Sequence, residues 1–217
     1  MKIKSFLIAA LLLTLIIGCK KKEENPDPNV LGGDPNTELG QVNNTFVLSL
    51  KYGNTPLNLN EDIKIISNNN GLATIKIKAN VNQSPQLKQL LDKIPANIYD
   101  NQGNIDVTTQ FKITSEGLQD YFNKDGKPHT LVKYDAKVGD KYILKKSDGT
   151  TITRTVTGRS QTDDFPYGFF DIKVITVEQD SRIPGIKKFI YKANHKFGLV
   201  HVEALLEDGT SIKSYIF

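Results

Sequence analysis

Thr74-Ile75-Lys76-Ile77-Lys78-Ala79-Asn80-Val81-Asn82 alternates apolar and polar residues without a break. A period of two with one apolar side is the mark of a strand half-buried on a sheet. Upstream, Phe46, Leu48, Leu50 and Tyr52 alternate with Val47, Ser49 and Lys51, and Ile63-Lys64-Ile65-Ile66 reads as a further strand. Asn68-Asn69-Asn70-Gly71 has the residue types of a tight connection between Ile66 and Thr74.

Downstream, the pattern predicts one helix. Ser84 can cap it, Pro85 suits its first position, and Leu87, Leu90, Leu91 and Ile94 follow at helical spacing before Pro95. One side would pack on the sheet, while Gln86, Lys88, Gln89, Asp92 and Lys93 meet water. Ile105 to Ile113 then reads as a strand, and Gly117 to Phe122 as a single helical turn before Asp125-Gly126.

From Thr130 the sequence becomes a run of hairpins. Tyr142-Ile143-Leu144 and Thr151 to Val156 flank Ser147-Asp148-Gly149, and Phe169 to Val177 reads as a long central strand with apolar residues on both faces. Ile186 to Ala193, Leu199 to Leu206 and Ser211 to Phe217 complete a meander. Asp-Gly recurs at 125–126, 148–149 and 208–209, where turn chemistry explains it; no Asp-x-Asp-x-Asp-Gly calcium loop is present. The expected fold is therefore mainly β (a β-rich α+β class). An antiparallel meander forms a curved sheet, half-barrel or sandwich, with one short helix near 84–94.

The N-terminus carries a different signal. Lys2 and Lys4 precede an apolar block from Phe6 to Ile17, closed by Ile16-Ile17-Gly18-Cys19. Charge, short apolar core and small residue in that order make a secretory signal, and a dozen apolar residues fall short of the roughly 20 that cross a bilayer. The ending resembles the lipobox of bacterial lipoproteins. That resemblance implies residues 1–18 as a cleaved signal, Cys19 acylated, and outer-membrane anchoring on the periplasmic face or at the cell surface. Lys22-Glu23-Glu24 is similar to the short surface-export signal of Bacteroidota lipoproteins. Residues 19–42, with Pro26, Pro28, Pro35, Gly32 and Gly33 among charged and amide residues, read as the lipidated Cys and a flexible tether. Residues 43–217 read as one β-rich domain, with a possible subdivision near 125. Lys192 to Val200, Glu207 to Thr210 and Val138 to Tyr142 resemble hairpins of uncharacterised Bacteroidota envelope lipoproteins, a family that implies no activity.

Composition narrows the chemistry. Removing Lys2 and Lys4 with the signal leaves 26 basic against 24 acidic residues, too small an excess to argue for nucleic acid or an anionic surface as partner. Cys19 is the only cysteine, so acylation leaves no thiol for a disulfide, metal site or nucleophile. No Gly-x-Ser-x-Gly elbow, Ser-x-x-Lys set or His-Glu-x-x-His helix occurs, and neither a catalytic residue, a metal site nor a cofactor is expected. Among His129, His195 and His201, a metal site would need His195 and His201 brought together with Glu203. With Val200 and Val202 on the core face, His201 should point the other way.

The loop from Ser160 to Gly168 is the candidate ligand-contact feature. Asp163 and Asp164 are adjacent acids. Phe165 and Tyr167 flank Pro166, and they either form a stacking platform for a sugar or peptide or fold back over the open end of the core.

Three functions are consistent with this reading. The first is a non-enzymatic envelope lipoprotein, a binding or assembly module for a glycan, peptide or protein. The second is a carrier holding an apolar ligand in a curved sheet, with Phe169 to Val177 along one wall. The third is an envelope hydrolase using dispersed acids.

Overall fold

A computed structural model describes residues 29–92, 99–181 and 183–217. The signal, Cys19 and Lys22-Glu23-Glu24 lie outside the described residues, as do Ile94 and Pro95.

The architecture is mainly β. In chain order come β1 (Thr45–Phe46), β2 (Leu48–Tyr52), β3 (Thr55–Leu57), β4 (Asp62–Asn69) and β5 (Leu72–Asn80). The helix α1 (Pro85–Leu91) precedes β6 (Asn104–Thr114), β7 (Gly117–Asp120), β8 (His129–Lys133), β9 (Lys141–Lys145) and β10 (Thr151–Arg159). A small hairpin of β11 (Phe165–Tyr167) and β12 (Phe170–Ile172) follows. The chain ends with β13 (Ile175–Asp180), β14 (Ile186–Asn194), β15 (Gly198–Leu206) and β16 (Ser211–Ile216).

These strands make two antiparallel sheets packed face to face and not closed into a barrel. One has the order β1-β4-β5-β6-β7-β8, the other β3-β2-β16-β15-β14-β13-β10-β9. The alternation that predicted the strands also builds the core. Ile65, Ala73, Ile113 and Leu118 from the first sheet meet Tyr142, Val156, Val177 and Ala193 from the second, all at most 4% exposed. Phe46, Leu48 and Leu50 pack inward, as their spacing requires.

The sheets are joined along both sides. On one side, β1 and β2 are a single run bent at Val47: Thr45 and Phe46 pair with β4, Leu48 to Tyr52 with β16. Val47 at the corner exchanges two 3.0 Å backbone hydrogen bonds with Phe217. On the other side, the Lys133 N–H donates to the Tyr142 hydroxyl at 3.1 Å, and His129 Nε2 lies 3.1 Å from the Tyr142 carbonyl oxygen.

Asn29 reinforces that second seam. Its amide donates to the Ile143 carbonyl at 2.8 Å, and its side-chain oxygen accepts from the Thr130 N–H at 3.2 Å. The tether expected to run to Val42 thus lies on the domain from Asn29 onward. Leu31 is buried, Gly32 donates to the Glu116 carboxylate at 3.1 Å, and Asp34 donates to Ser115 Oγ at 2.8 Å. Sparse in apolar side chains, this segment is ordered through its backbone donors, which composition does not reveal.

Two local expectations change. Gly117 to Asp120 is strand β7, not a helical turn: it pairs with Phe111 to Thr114 on one side and β8 on the other, so its backbone polar groups are spent in the sheet. The long strand expected at Phe169 to Val177 is two strands interrupted at Lys173-Val174, and Phe169 is fully exposed at the hairpin tip. The expected short helix is present at Pro85–Leu91, and Ser84 Oγ donates to the Asn58 carbonyl at 2.6 Å. Leu87 of α1 packs with Leu50 and Val81 at one end of the sandwich.

Asn70 and Gly71 both have positive φ, +51° and +83°, with Asn69 opposite Leu72. That is the two-residue hairpin turn whose twist matches its strands.

Candidate functional site

A pocket of about 460 Å³ lies between the sheets. One wall is Ile75 and Ile77 of β5 with Phe111 of β6, and the other is Phe189 of β14, Val202 of β15 and Ile216 of β16. Phe122 lies at the rim: it is 58% exposed, and its ring stands edge-on to Phe111 with centroids 5.3 Å apart. Polar side chains in the lining are few, chiefly Thr109, Asp120 and Ser214. This is the usual make-up of small-molecule sites, which are apolar clefts of about 300–1,000 Å³ with a few placed polar groups.

Asp120 is the charged group in that lining. It lies opposite Phe111, so the register of β7 on β6 turns its side chain into the gap. Arg154 reaches it from the second sheet: Nη2 donates to Asp120 Oδ2 at 2.7 Å, and both side chains are 3% exposed. Arg154 Nη1 donates to the His129 and Thr130 carbonyls at 3.2 and 3.1 Å, and Nε donates to Gln179 Oε1 at 2.8 Å. The guanidinium lies 5.4 Å from the Tyr191 ring centroid. Burial pushes the Asp120 carboxyl above the usual carboxylate range, against the pull of Arg154 and the Phe122 N–H. Burial also pushes the Tyr191 hydroxyl up to about 12.

Both members of the pair were missed in the sequence. Arg154 is in phase with Ile152 and Val156, which places a cation on the apolar face of a strand. That phase was the available signal. Asp120 is likewise in phase with Leu118, but the helical reading of Gly117 to Phe122 concealed it.

The sequence-derived candidates fall elsewhere. Asp163 and Asp164 are exposed, and Asp164 Oδ1 accepts from Ser160 Oγ at 2.6 Å. Phe165 and Tyr167 are buried at 8% and 9% exposure, in a cluster with Ile172, Val174 and Val200 on the outer face of the second sheet. Phe165 stacks on Tyr215 at 6.2 Å and approaches His201 at 5.8 Å, while Tyr167 meets Phe197 at 4.8 Å. The exposed aromatics of the hairpin are Phe169 and Phe170.

A bulge explains this outer cluster. Lys192 pairs with His201 and Ala193 with Leu199, leaving Val200 as the extra residue. Val200 therefore joins the outer cluster beside His201 while Leu199 and Val202 line the pocket, and the expected alternation breaks at that point. His201 Nε2 is 3.6 Å from Glu203, and Nδ1 is buried without a hydrogen-bond partner. Burial lowers the His201 pKa, with Lys192 and Lys213 adding to the shift and Glu203 opposing it. His195 is in an exposed turn and His129 in the seam between β8 and β9. No group of three metal-ligating side chains forms among the described residues.

No family model matches the chain, and neither a curated protein nor a solved structure matches it. Among the described residues no helix is long and apolar enough to cross a membrane.

Proposed function

We propose that the chain is a non-enzymatic, lipid-anchored protein of the bacterial cell envelope that binds a small apolar ligand between its two sheets. The pocket carries the reading. Its volume of about 460 Å³ and almost wholly apolar lining are those of a small-molecule cleft. Protein interiors are otherwise close-packed, so a lining this apolar is suited to an occupant. The wall comes from β5, β6 and β14 to β16, not from Phe169 to Val177 as the sequence suggested. Anchoring rests on the order of charge, apolar core and Cys19 at the N-terminus.

The test is to purify the full chain from its own membranes, extract it with organic solvent and identify co-purifying molecules by mass spectrometry. A stoichiometric apolar molecule is expected, and it should be lost in a Val202→Trp variant that keeps its circular dichroism spectrum. Equal extracts from both proteins would refute the reading.

A further inference from the structure

We infer that the preferred ligand is a single-chain lipid with an uncharged, hydrogen-bond-donating head, such as a fatty alcohol or a glycerol monoester, rather than a free fatty acid. The inference rests on the apolar-ligand reading above and deepens it from the charges around the pocket.

Among the described residues that line the pocket there is no Lys, Arg or His. The nearby cation is Arg154, whose charge is already matched by Asp120. A guanidinium has five N–H donors. Four of those of Arg154 go to Gln179, the His129 and Thr130 carbonyls and Asp120, and the Tyr191 ring lies beside the guanidinium. No pair of donors remains to receive a second carboxylate. A fatty acid bound as its anion would place a like charge beside Asp120 in an apolar pocket, with no cation of its own.

A donor head meets the opposite situation. An ionised carboxylate offers about four lone-pair sites. Asp120 uses one on the Arg154 Nη2 donor at 2.7 Å and one on the Phe122 N–H at 3.2 Å. The remaining sites can accept from an alcohol, and the Thr109 and Ser214 hydroxyls on the facing walls can donate or accept. An ammonium head is less suited, because Arg154 already neutralises the carboxylate.

The experiment uses the full chain carrying Cys19→Ala, so that no acyl group of its own competes. Binding of the neutral fluorophore N-phenyl-1-naphthylamine is followed, and dodecanol, dodecanoate and dodecylamine compete for it at neutral pH. Dodecanol is expected to displace the probe at a concentration about tenfold or more below either charged compound. Asp120→Asn, folded by circular dichroism, should narrow that gap by improving dodecanoate. If the variant does not fold, the ligand series on the unaltered pocket decides alone. Displacement by dodecanoate or dodecylamine as strong as by dodecanol overturns the head-group inference and leaves the apolar-ligand reading standing. Failure of the probe to bind, or equal binding by Val202→Trp, overturns both.

Discussion

Arg154 and Asp120, 34 positions apart on opposite sheets, meet through a 2.7 Å charge-assisted hydrogen bond in the interior of the sandwich. The contact ties β10 to β7, and the same guanidinium satisfies two carbonyls of the edge strand β8. Removing one member of a buried pair leaves an uncompensated charge, at a cost of about 3–5 kcal/mol. Arg154→Met is expected to reach the upper part of that range, since it also orphans the His129 and Thr130 carbonyls. Asp120→Asn should cost less. Urea unfolding followed by circular dichroism measures both, and equal midpoints for Arg154→Met and wild type would contradict the bridging role.

Acid should destabilise the fold before the carboxylates titrate. Burial and the Arg154 charge, against the pull of the Tyr142 carbonyl, lower the His129 pKa to about 4 from its ordinary 6.5. The unfolded chain then binds more protons than the folded one between those values. Stability is complete above about pH 6.5 and is lost as pH falls toward 4, by about 2–3 kcal/mol. The buried His201, also lowered, acts in the same direction. Urea midpoints measured across this window should show a shallower decline in His129→Gln than in wild type.

The hairpin of β11 and β12 contains two kinds of aromatic residue. Phe165 is buried against Tyr215 and His201, with the Lys192 ammonium 4.8 Å from its ring centroid. Phe165→Ala is expected to cost about 3 kcal/mol and to expose residues 161–172 to limited proteolysis. Phe169 is fully exposed, so Phe169→Ser should change stability by no more than about 0.5 kcal/mol. A variant pair with the reverse order would show that the hairpin packs differently.

Gly71 has φ +83°, and a Cβ there would lie 2.9 Å from the Ile113 carbonyl oxygen. Gly71→Ala therefore combines left-handed strain with a backbone clash and is expected to lower stability by about 1–2 kcal/mol in thermal or urea unfolding. Gly149→Ala, where no atom lies within 4 Å, should pay only the strain and cost less.

Anchoring and orientation can be read in cells. Metabolic labelling with a fatty acid should mark the wild-type chain and not Cys19→Ala. Protease shaving of intact cells, with a periplasmic protein as leakage control, should cut the domain if Lys22-Glu23-Glu24 directs it to the surface. A protected domain would exclude that export reading.

The period-two pattern around Ile75, the Asn70-Gly71 turn and the Asp-Gly turns at 148–149 and 208–209 were sufficient to indicate strands, hairpins and a meander. These are local properties: side-chain alternation and backbone φ are set within a few residues. Pairing across the molecule is not local. Nothing near Gly117 states that it will lie between β6 and β8, and nothing near Asn29 states that its amide will bridge two sheet edges. The bulge at Val200 likewise depends on how β14 and β15 align, and it decides which of Leu199 to Val202 face inward.

By itself, then, the sequence determined a mainly β, antiparallel chain with one short helix, because alternation and turn chemistry are written residue by residue. Only the tertiary structure decided that the strands form two facing sheets, that Phe165 and Tyr167 are buried beneath their hairpin, and that Phe111 and Val202 stand across an apolar pocket with Asp120 in its wall. A pocket is the space left between side chains far apart in sequence, so it exists only once the two sheets are assembled.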